Sequence, residues 1–443
     1  MSLINEPETN LSVRAQINSQ NMSRYQWEIV LLCTAINMLD GYDVLVMSFA
    51  AASVAQDWQL DPARLGLLLS AGLVGMAVGS IILGALADKL GRKSLVQVCL
   101  VTVTAGMILS GYSQNEQQLL VLRFITGIGI GGMLATLTTL VAEYSSDKRR
   151  GISMGLLQAG YPLGALLGGF IAASLVQHAG WQSLFFSGGA MSALLLPVVV
   201  FRLPESLDFL SRAAKPQAIN AKKKIMARLG LLNTSHHAAI DTSEAIEGLR
   251  SCFKPGEMRR NTILLWLCYL FLMFSFYFVV SWTPKLLVDA GLSTSQGISA
   301  GAILQTGGLF GALAIGLLGS KFAINKVSSS FFILSVIAIL LYILVDSDLA
   351  LLMLLAGVMG FFLIGAMIGL YTIAPALYDS ASRVTGVGLA IGVGRAGAIG
   401  APLIGGLMLQ ADMEVTHIYA IFSVPLLLAA LAVRSIKLTK SLK

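Results

Sequence analysis

The chain has 443 residues, 56% of them hydrophobic and only 12% charged, with a mean hydropathy of +0.78 and a net charge of +7. Soluble domains carry about 25% charged residues, so half the expected charge is missing. That excludes a soluble enzyme, a disordered chain or a nucleic-acid-binding module as the whole answer, and leaves a polytopic membrane protein.

The first 26 residues are polar overall, with acids at Glu6 and Glu8 and no apolar stretch, so no cleavable signal peptide is expected. A hydrocarbon core of about 30 Å needs ~20 apolar residues per helix. Apolar runs of that kind lie near 27–50, 64–86, 94–112, 117–142, 151–176 and 182–201. A polar, basic stretch follows, and the runs resume near 262–288, 297–319, 327–345, 349–374, 384–408 and 415–433. The expected fold is all-α, with twelve transmembrane helices in two pseudo-symmetric six-helix halves. Its parts are a tail 1–26, a bundle 27–201, a central loop 202–260, a second bundle 261–434 and a tail 435–443. The 45 glycines suit close helix approach in a bilayer.

Lysine and arginine set the orientation. With both termini placed in the cytoplasm, 26 of the 30 basic residues fall on that side, eleven of them between Arg202 and Arg260. The opposite loops are acidic, with Asp57, Asp61, Glu116, Asp289, Asp346, Asp348, Asp412 and Glu414. The positive charge is therefore a topology signal and not a nucleic-acid patch. Cys33, Cys99, Cys252 and Cys268 show no CxxC spacing, and the four histidines form no cluster, so neither disulfides nor a metal site is expected.

The halves look duplicated. Gly84-Ala85-Leu86-Ala87-Asp88-Lys89-Leu90-Gly91-Arg92-Lys93 closes the second span, and Gly316-Leu317-Leu318-Gly319-Ser320-Lys321 closes the eighth as a worn copy, 232 positions later. Arg150, Gly155 and Gly164 likewise match Arg383, Gly388 and Gly397 at an offset of 233. Repeats of this kind place a substrate site between the halves, near the midplane.

These residues resemble the major facilitator superfamily. Gly84 to Lys93 resembles its loop signature G-x-x-x-D-R/K-x-G-R-R/K, and Arg123-Phe124-Ile125-Thr126-Gly127-Ile128-Gly129-Ile130-Gly131-Gly132 is similar to its fourth-span signature. Asp40-Gly41-Tyr42-Asp43 resembles the D-G-x-D mark of the aromatic acid:proton symporter family, as does Ser281-Trp282-Thr283-Pro284 in the seventh span. Gly127, Gly129 and Gly132 also read GxGxxG, but a dinucleotide fingerprint must follow a strand and open a helix. This one lies within a span. No G-x-x-x-x-G-K-[ST] occurs, which argues against an ATP-driven pump.

A charge at bilayer depth costs at least ~2.5–3.5 kcal/mol, so Asp40, Asp43, Arg123 and Arg395 are the first candidates for function. Asp40 and Asp43 are three apart and share one helical face. Two carboxylates that close in a low dielectric resist ionising together, which suits a proton carrier, and the resemblance implies the same role. The duller alternative is a cap or kink at Gly41, or a structural pairing with Arg123. For Arg123 the resemblance implies proton coupling, and the alternative is snorkelling to the interface. Arg395 stands mid-span with no acid at comparable depth in the second half. A guanidinium so placed suits a substrate that brings its own carboxylate, bound bidentately; the alternatives are a backbone-carbonyl clamp or pairing with Asp40 or Asp43.

Tyr42, Tyr161, Phe274, Tyr277, Trp282 and Tyr371 are candidate cavity walls, with Gln158 and Gln305 as polar contacts. Asp88, Arg92, Glu143 and Arg150 are candidates for a charged gating latch at the cytoplasmic side. Together these residues point to a monomeric proton-coupled symporter importing an organic carboxylate of the benzoate, hydroxybenzoate or muconate class. The rivals are a proton-driven efflux antiporter, to which Gly160-Tyr161-Pro162 comes near, and a transporter-like chemoreceptor. The expected cofactor set is empty apart from the proton, and no nucleophile–base or metal constellation suggests an enzyme.

Overall fold

The computed structural model describes residues 13–212, 216–231, 256–345, 348–378 and 380–437. Within them, twelve helices are long and apolar enough to cross a membrane. The first half carries Arg24–Trp58, Pro62–Leu90, Arg92–Gly111, Glu116–Tyr144, Asp147–Ala179 and Gln182–Arg202. The second carries Glu257–Asp289, Thr294–Lys321, Ile324–Tyr342, Leu349–Ala376, Ser380–Gln410 and Val415–Ser435. They are called spans one to twelve below. Most run several residues beyond the apolar cores legible in the sequence, because polar residues start them. Ser23 and Gln26 form a reciprocal capping box on span one, as Ser293 and Gln296 do on span eight. Asp61 caps span two ahead of Pro62.

The duplication is visible in the packing. Gly164 of span five lies so close to the Met38 carbonyl of span one that a Cβ would overlap it, and Gly397 of span eleven sits in the same way on the Leu270 carbonyl of span seven. Gly127 meets the Gly72 carbonyl between spans four and two, and Gly360 meets the Leu304 carbonyl between spans ten and eight. Within lipid, helices gain little by burying apolar surface against one another, so such backbone-to-backbone approaches supply much of the contact.

The described backbone contacts between the two halves cluster toward one end. At the acidic end, the Ser48 hydroxyl of span one donates to the Val280 and Ser281 carbonyls of span seven, each at 2.8 Å. Ser70 of span two donates to the Ile399 carbonyl of span eleven at 2.9 Å, Gly66 packs on Pro402, and Gly169 of span five packs on Ala302 of span eight. At the basic end of the same four helices the picture reverses. A Cβ at Gly84, Gly151, Gly155, Gly316, Gly388 or Gly392 would meet no described atom within 4 Å. Among the described residues the molecule is sealed at its acidic end and parted at its basic end.

Two segments depart from the sequence reading. The polar leading tail contains a helix, Val13–Ser19, and the central loop contains Leu207–Arg212 and Pro216–Leu229. The last of these is amphipathic. Ile225, Met226 and Leu229 are buried on one side while Lys223 and Lys224 are exposed on the other. Residues 232–255, including Cys252, lie outside the described residues.

Candidate functional site

Span one carries a polar ladder through its apolar middle. Asn37, Asp40 and Asp43 recur every three residues and are buried, at 0%, 2% and 4% exposure. Asn37 donates to the Leu157 carbonyl of span five at 2.7 Å, while its own Oδ1 has no partner. Among the described residues, both oxygens of Asp40, and Oδ2 of Asp43, accept no hydrogen bond. Asp40 and Asp43 interact electrostatically with each other, and Asp43 interacts with Arg123. Buried carboxylates without donors are costly as anions and far less so once a proton neutralises them.

Arg123 forms no carboxylate ion pair among the described residues. Its guanidinium donates to the Gly106 carbonyl at 3.3 Å, Ser110 Oγ at 2.8 Å and Thr126 Oγ1 at 3.1 Å, and lies 4.9 Å from the Phe185 ring centroid. It is 3% exposed, so it is anchored inside the first half and does not snorkel outward. Asp43 therefore faces a fixed positive charge without being locked to it.

Arg395 stands across the interface, half-buried in span eleven, and no carboxylate pairs with it among the described residues. Its charge acts on the hydroxyls of Tyr277 and Tyr371. Tyr277 faces Tyr161 of the first half, and Tyr161 in turn lies within electrostatic reach of Tyr371 and Asp40. The chain of neighbours runs Arg395, Tyr277 and Tyr371, Tyr161, Asp40, Asp43, Arg123. It sets a cation in one half and two acids in the other within electrostatic reach of intervening tyrosine hydroxyls, with no hydrogen bond at the Tyr161 hydroxyl or at either Asp40 oxygen among the described residues. Gln158 is exposed one turn before Tyr161 on span five. Gln305 is 1% exposed, and both of its amide atoms are unpartnered.

Three sequence candidates sit elsewhere. The Tyr42 hydroxyl contacts the Leu184 carbonyl at 2.7 Å and Ser187 at 2.9 Å, and its ring fills the space left by Gly168 and Gly188. It packs spans one, five and six together instead of walling the interface. Trp282 is fully buried and donates to the Pro402 carbonyl at 3.0 Å, tying span seven to span eleven. Phe274 stacks on Phe422 of span twelve with centroids 4.6 Å apart. Two residues were passed over in the sequence. Asn37 shares the period-three spacing of the aspartates, which is the signal that finds it. Tyr269, buried with an unpartnered hydroxyl, lies 5.8 Å from Tyr371 between ring centroids, two turns before Tyr277 on span seven.

Two of the four gating candidates, Arg92 and Glu143, form a cluster inside the first half. Arg92 and Glu143 are ion-paired, and Ser206 joins them, donating to Glu143 at 2.7 Å and accepting from Arg92 at 3.1 Å. Glu205 Oε1 accepts from the backbone N–H groups of Arg92, Lys93 and Ser206 at 2.7, 3.0 and 2.9 Å. Gly91 stands at φ +89°, a left-handed value that favours glycine, and any Cβ there would strike that carboxylate. The loop signature thus tightens around a carboxylate 112 to 113 positions away. Arg150 faces Asp147, which is paired with Arg14 of the leading helix. The side chain of Asp88 lies outside the described residues.

The profile of the Major Facilitator Superfamily matches residues 30–345. Among curated proteins, the gallate transporter of Pseudomonas putida is 34% identical over 96% of this chain and 94% of its own length. The 4-hydroxybenzoate transporter PcaK of Pseudomonas aeruginosa is 34% identical over 96% and 95%. The 3-(3-hydroxy-phenyl)propionate transporter of Escherichia coli is 32% identical over 91% and 92%. Among solved structures, the inward open conformation of the xylose transporter XylE from E. coli superposes with a TM-score of 0.72 at 19% identity, covering 94% of this chain and 97% of XylE. A bacterial homolog of the human lysosomal transporter Spinster, inward-facing and unoccupied, gives 0.70 at 17% identity over 94% and 98%. With twelve membrane-length helices in two repeated halves, and with these matches, the chain belongs to the major facilitator superfamily and is a multi-pass membrane protein.

Proposed function

We propose that this protein is a proton-coupled symporter that imports an aromatic carboxylate across a bacterial inner membrane by alternating access. The basic end faces the cytoplasm in this reading, so the described conformation opens inward. The observation that carries the proposal is Arg395, a membrane-depth cation with no carboxylate partner among the described residues, aligned through Tyr277 and Tyr161 with two buried acids in the opposite half. Relatives at 32–34% identity bear the names of gallate, 4-hydroxybenzoate and hydroxyphenylpropionate transporters, which supports an aromatic acid as cargo.

The cycle starts outward-facing. A proton loads the Asp40/Asp43 pair, and the substrate carboxylate takes the Arg395 guanidinium in a two-point, charge-assisted contact, with tyrosine hydroxyls as further donors and aromatic walls around the ring. Loading cancels the unpaired charge in each half and so lowers the cost of closing apolar walls around them. Half-loaded carriers keep one buried charge and close rarely. Once the basic end opens, cytoplasmic water solvates both groups, and anion and proton leave. No cofactor takes part.

The test is uptake into proteoliposomes. A panel of gallate, 4-hydroxybenzoate, benzoate and muconate is presented with and without an inward proton gradient. Accumulation above equilibrium that collapses when a protonophore is added is the expected result; uptake indifferent to the gradient overturns the coupling, and no uptake of any aromatic acid overturns the substrate class.

A further inference from the structure

Away from the interface, an open cavity of about 600 Å³ lies at the basic end, where span one begins and span six ends. Three arginines line it from three separate segments: Arg24 from the first turn of span one, Arg202 from the last turn of span six, and Arg228 from the amphipathic helix Pro216–Leu229. One acid faces them. Glu28 lies 3.8 Å from Arg202, while Arg228 rests over the Tyr25 ring at 5.7 Å. Neither Arg24 nor Arg228 pairs with a carboxylate among the described residues, so the cavity holds a surplus of two positive charges. The partial positive charge at the start of span one adds to it.

Ser23, Tyr25 and Phe201 complete the lining, and an exposed apolar surface borders it on the side of span six. Phe201, in the last turn of span six, lines the cavity and is 80% exposed. Leu194, seven residues earlier on the same helical face, is 75% exposed. A ligand here meets cations at its head and hydrocarbon directly beside them. A free phosphate or a soluble nucleotide uses only the first feature.

We infer that this cavity binds the phosphodiester headgroup of an anionic phospholipid, with Arg24, Arg202 and Arg228 on the phosphate and an acyl chain along Phe201 and Leu194. The bound lipid bridges span one, which carries the acids, to span six and to the amphipathic helix of the central loop. It thereby anchors that helix to the bundle at the bilayer surface. The inference is independent of what the protein transports.

The test uses the full chain purified in detergent, offered an equimolar mixture of phosphatidylglycerol and phosphatidylcholine and examined by native mass spectrometry. One phosphatidylglycerol retained in preference to phosphatidylcholine is expected. Each basic side chain near a membrane surface strengthens binding about fivefold, so Arg24→Gln/Arg228→Gln should lower retention by at least about tenfold. Lys223→Gln/Lys224→Gln, which removes equal charge from the exposed side of the same helix, should leave it unchanged. Equal loss in both variants, or no preference in the wild type, overturns the site. Thermal protection by inorganic phosphate equal to that by phosphatidylglycerol overturns the lipid and leaves a free-phosphate site. If the cavity variant does not fold, wild-type protein with a headgroup-photoreactive phosphatidylglycerol decides. Label on the peptides bearing Tyr25 and Phe201 supports the site, and label found only elsewhere overturns it.

Discussion

The hydroxyl of Tyr161, on span five of the first half, faces that of Tyr277, on span seven of the second. The two side chains lie between Asp40 and Arg395, one from each half; in the proposed cycle they are where the halves would communicate. The Tyr161 hydroxyl makes no hydrogen bond among the described residues, so a bond it forms during the cycle, to Tyr277 or to substrate, would contribute about 0.5–1.5 kcal/mol. Tyr161→Phe and Tyr277→Phe should each lower the rate of substrate uptake by about two- to tenfold, and the double variant should be little worse than either single one. Fully multiplicative losses in that double-mutant cycle would show the hydroxyls to act separately.

Arg395 has the sharper expectation. Arg395→Ala should abolish uptake while leaving expression and membrane insertion intact. Arg395→Lys keeps the charge and loses the planar two-point contact. Because hydrogen bonds to charged groups contribute about 1.5–3 kcal/mol, the lysine variant should raise the apparent KM roughly ten- to a hundredfold. Undiminished uptake in the alanine variant refutes the assigned role.

For the acids the sign of the pH effect follows from their proposed task. If the Asp40/Asp43 pair must take a proton before closure, wild-type uptake rises as the external pH falls. Asp40→Asn and Asp43→Asn remove the titrating groups one at a time. At least one of them should flatten that pH profile and abolish accumulation against a gradient, yet retain counterflow exchange of preloaded substrate. A variant pair that keeps the wild-type pH profile removes these residues from the proton path.

How much of this was legible in the sequence depends on which physical constraint is asked about. Span number, the loop between the halves and the internal repeat follow from hydropathy and from glycine spacing, because the bilayer imposes a minimum apolar length and because Gly164 and Gly397 must each admit a neighbouring carbonyl. The buried charges were legible for the same reason: their cost makes them conspicuous. The aromatic residues were not. Tyr42 and Tyr161 are the same residue type at similar depth, but one is turned to Ser187 and the other to Tyr277. That choice is set by Gly168 and Gly188 on other helices, which open a slot for the Tyr42 ring. Trp282 is likewise claimed by the Pro402 carbonyl. The latch was half legible. The signature marks Arg92, but its partners Glu205 and Ser206 lie in a loop with no motif of its own.

The open glycines supply a separate test of the conformational cycle. Gly164→Ala sets a Cβ onto the Met38 carbonyl, a backbone atom that cannot swing aside. Overpacking of that kind costs about 1–3 kcal/mol, so the variant should melt several degrees lower in detergent. In the described conformation a Cβ at Gly155 or Gly388 would meet no described atom within 4 Å. Gly155→Leu and Gly388→Leu should therefore fold with unchanged thermal stability but obstruct closure of the basic end, cutting transport and increasing labelling of a cysteine introduced at Gly151. Normal transport in both leucine variants would mean that these faces never approach each other.

The ion pair between Arg92 and Glu143 gives the last prediction. Both side chains are only 10–12% exposed, and both also bond to Ser206, so removing one partner leaves the other charged and nearly dry. Breaking such a pair from one side costs about 3–5 kcal/mol, more than an exposed surface pair contributes. Arg92→Gln and Glu143→Gln should each lower thermal stability markedly, and the double variant should recover part of the loss because no orphan charge remains. Exchange of the two residues, Arg92→Glu with Glu143→Arg, should rescue less than the double neutralisation. Glu205 already places a carboxylate against the backbone at 92 and 93, and a second acid there would repel it. A swap that restores full stability would show the cluster to be a simple charge pair, indifferent to the Glu205 anchor that the loop signature wraps around.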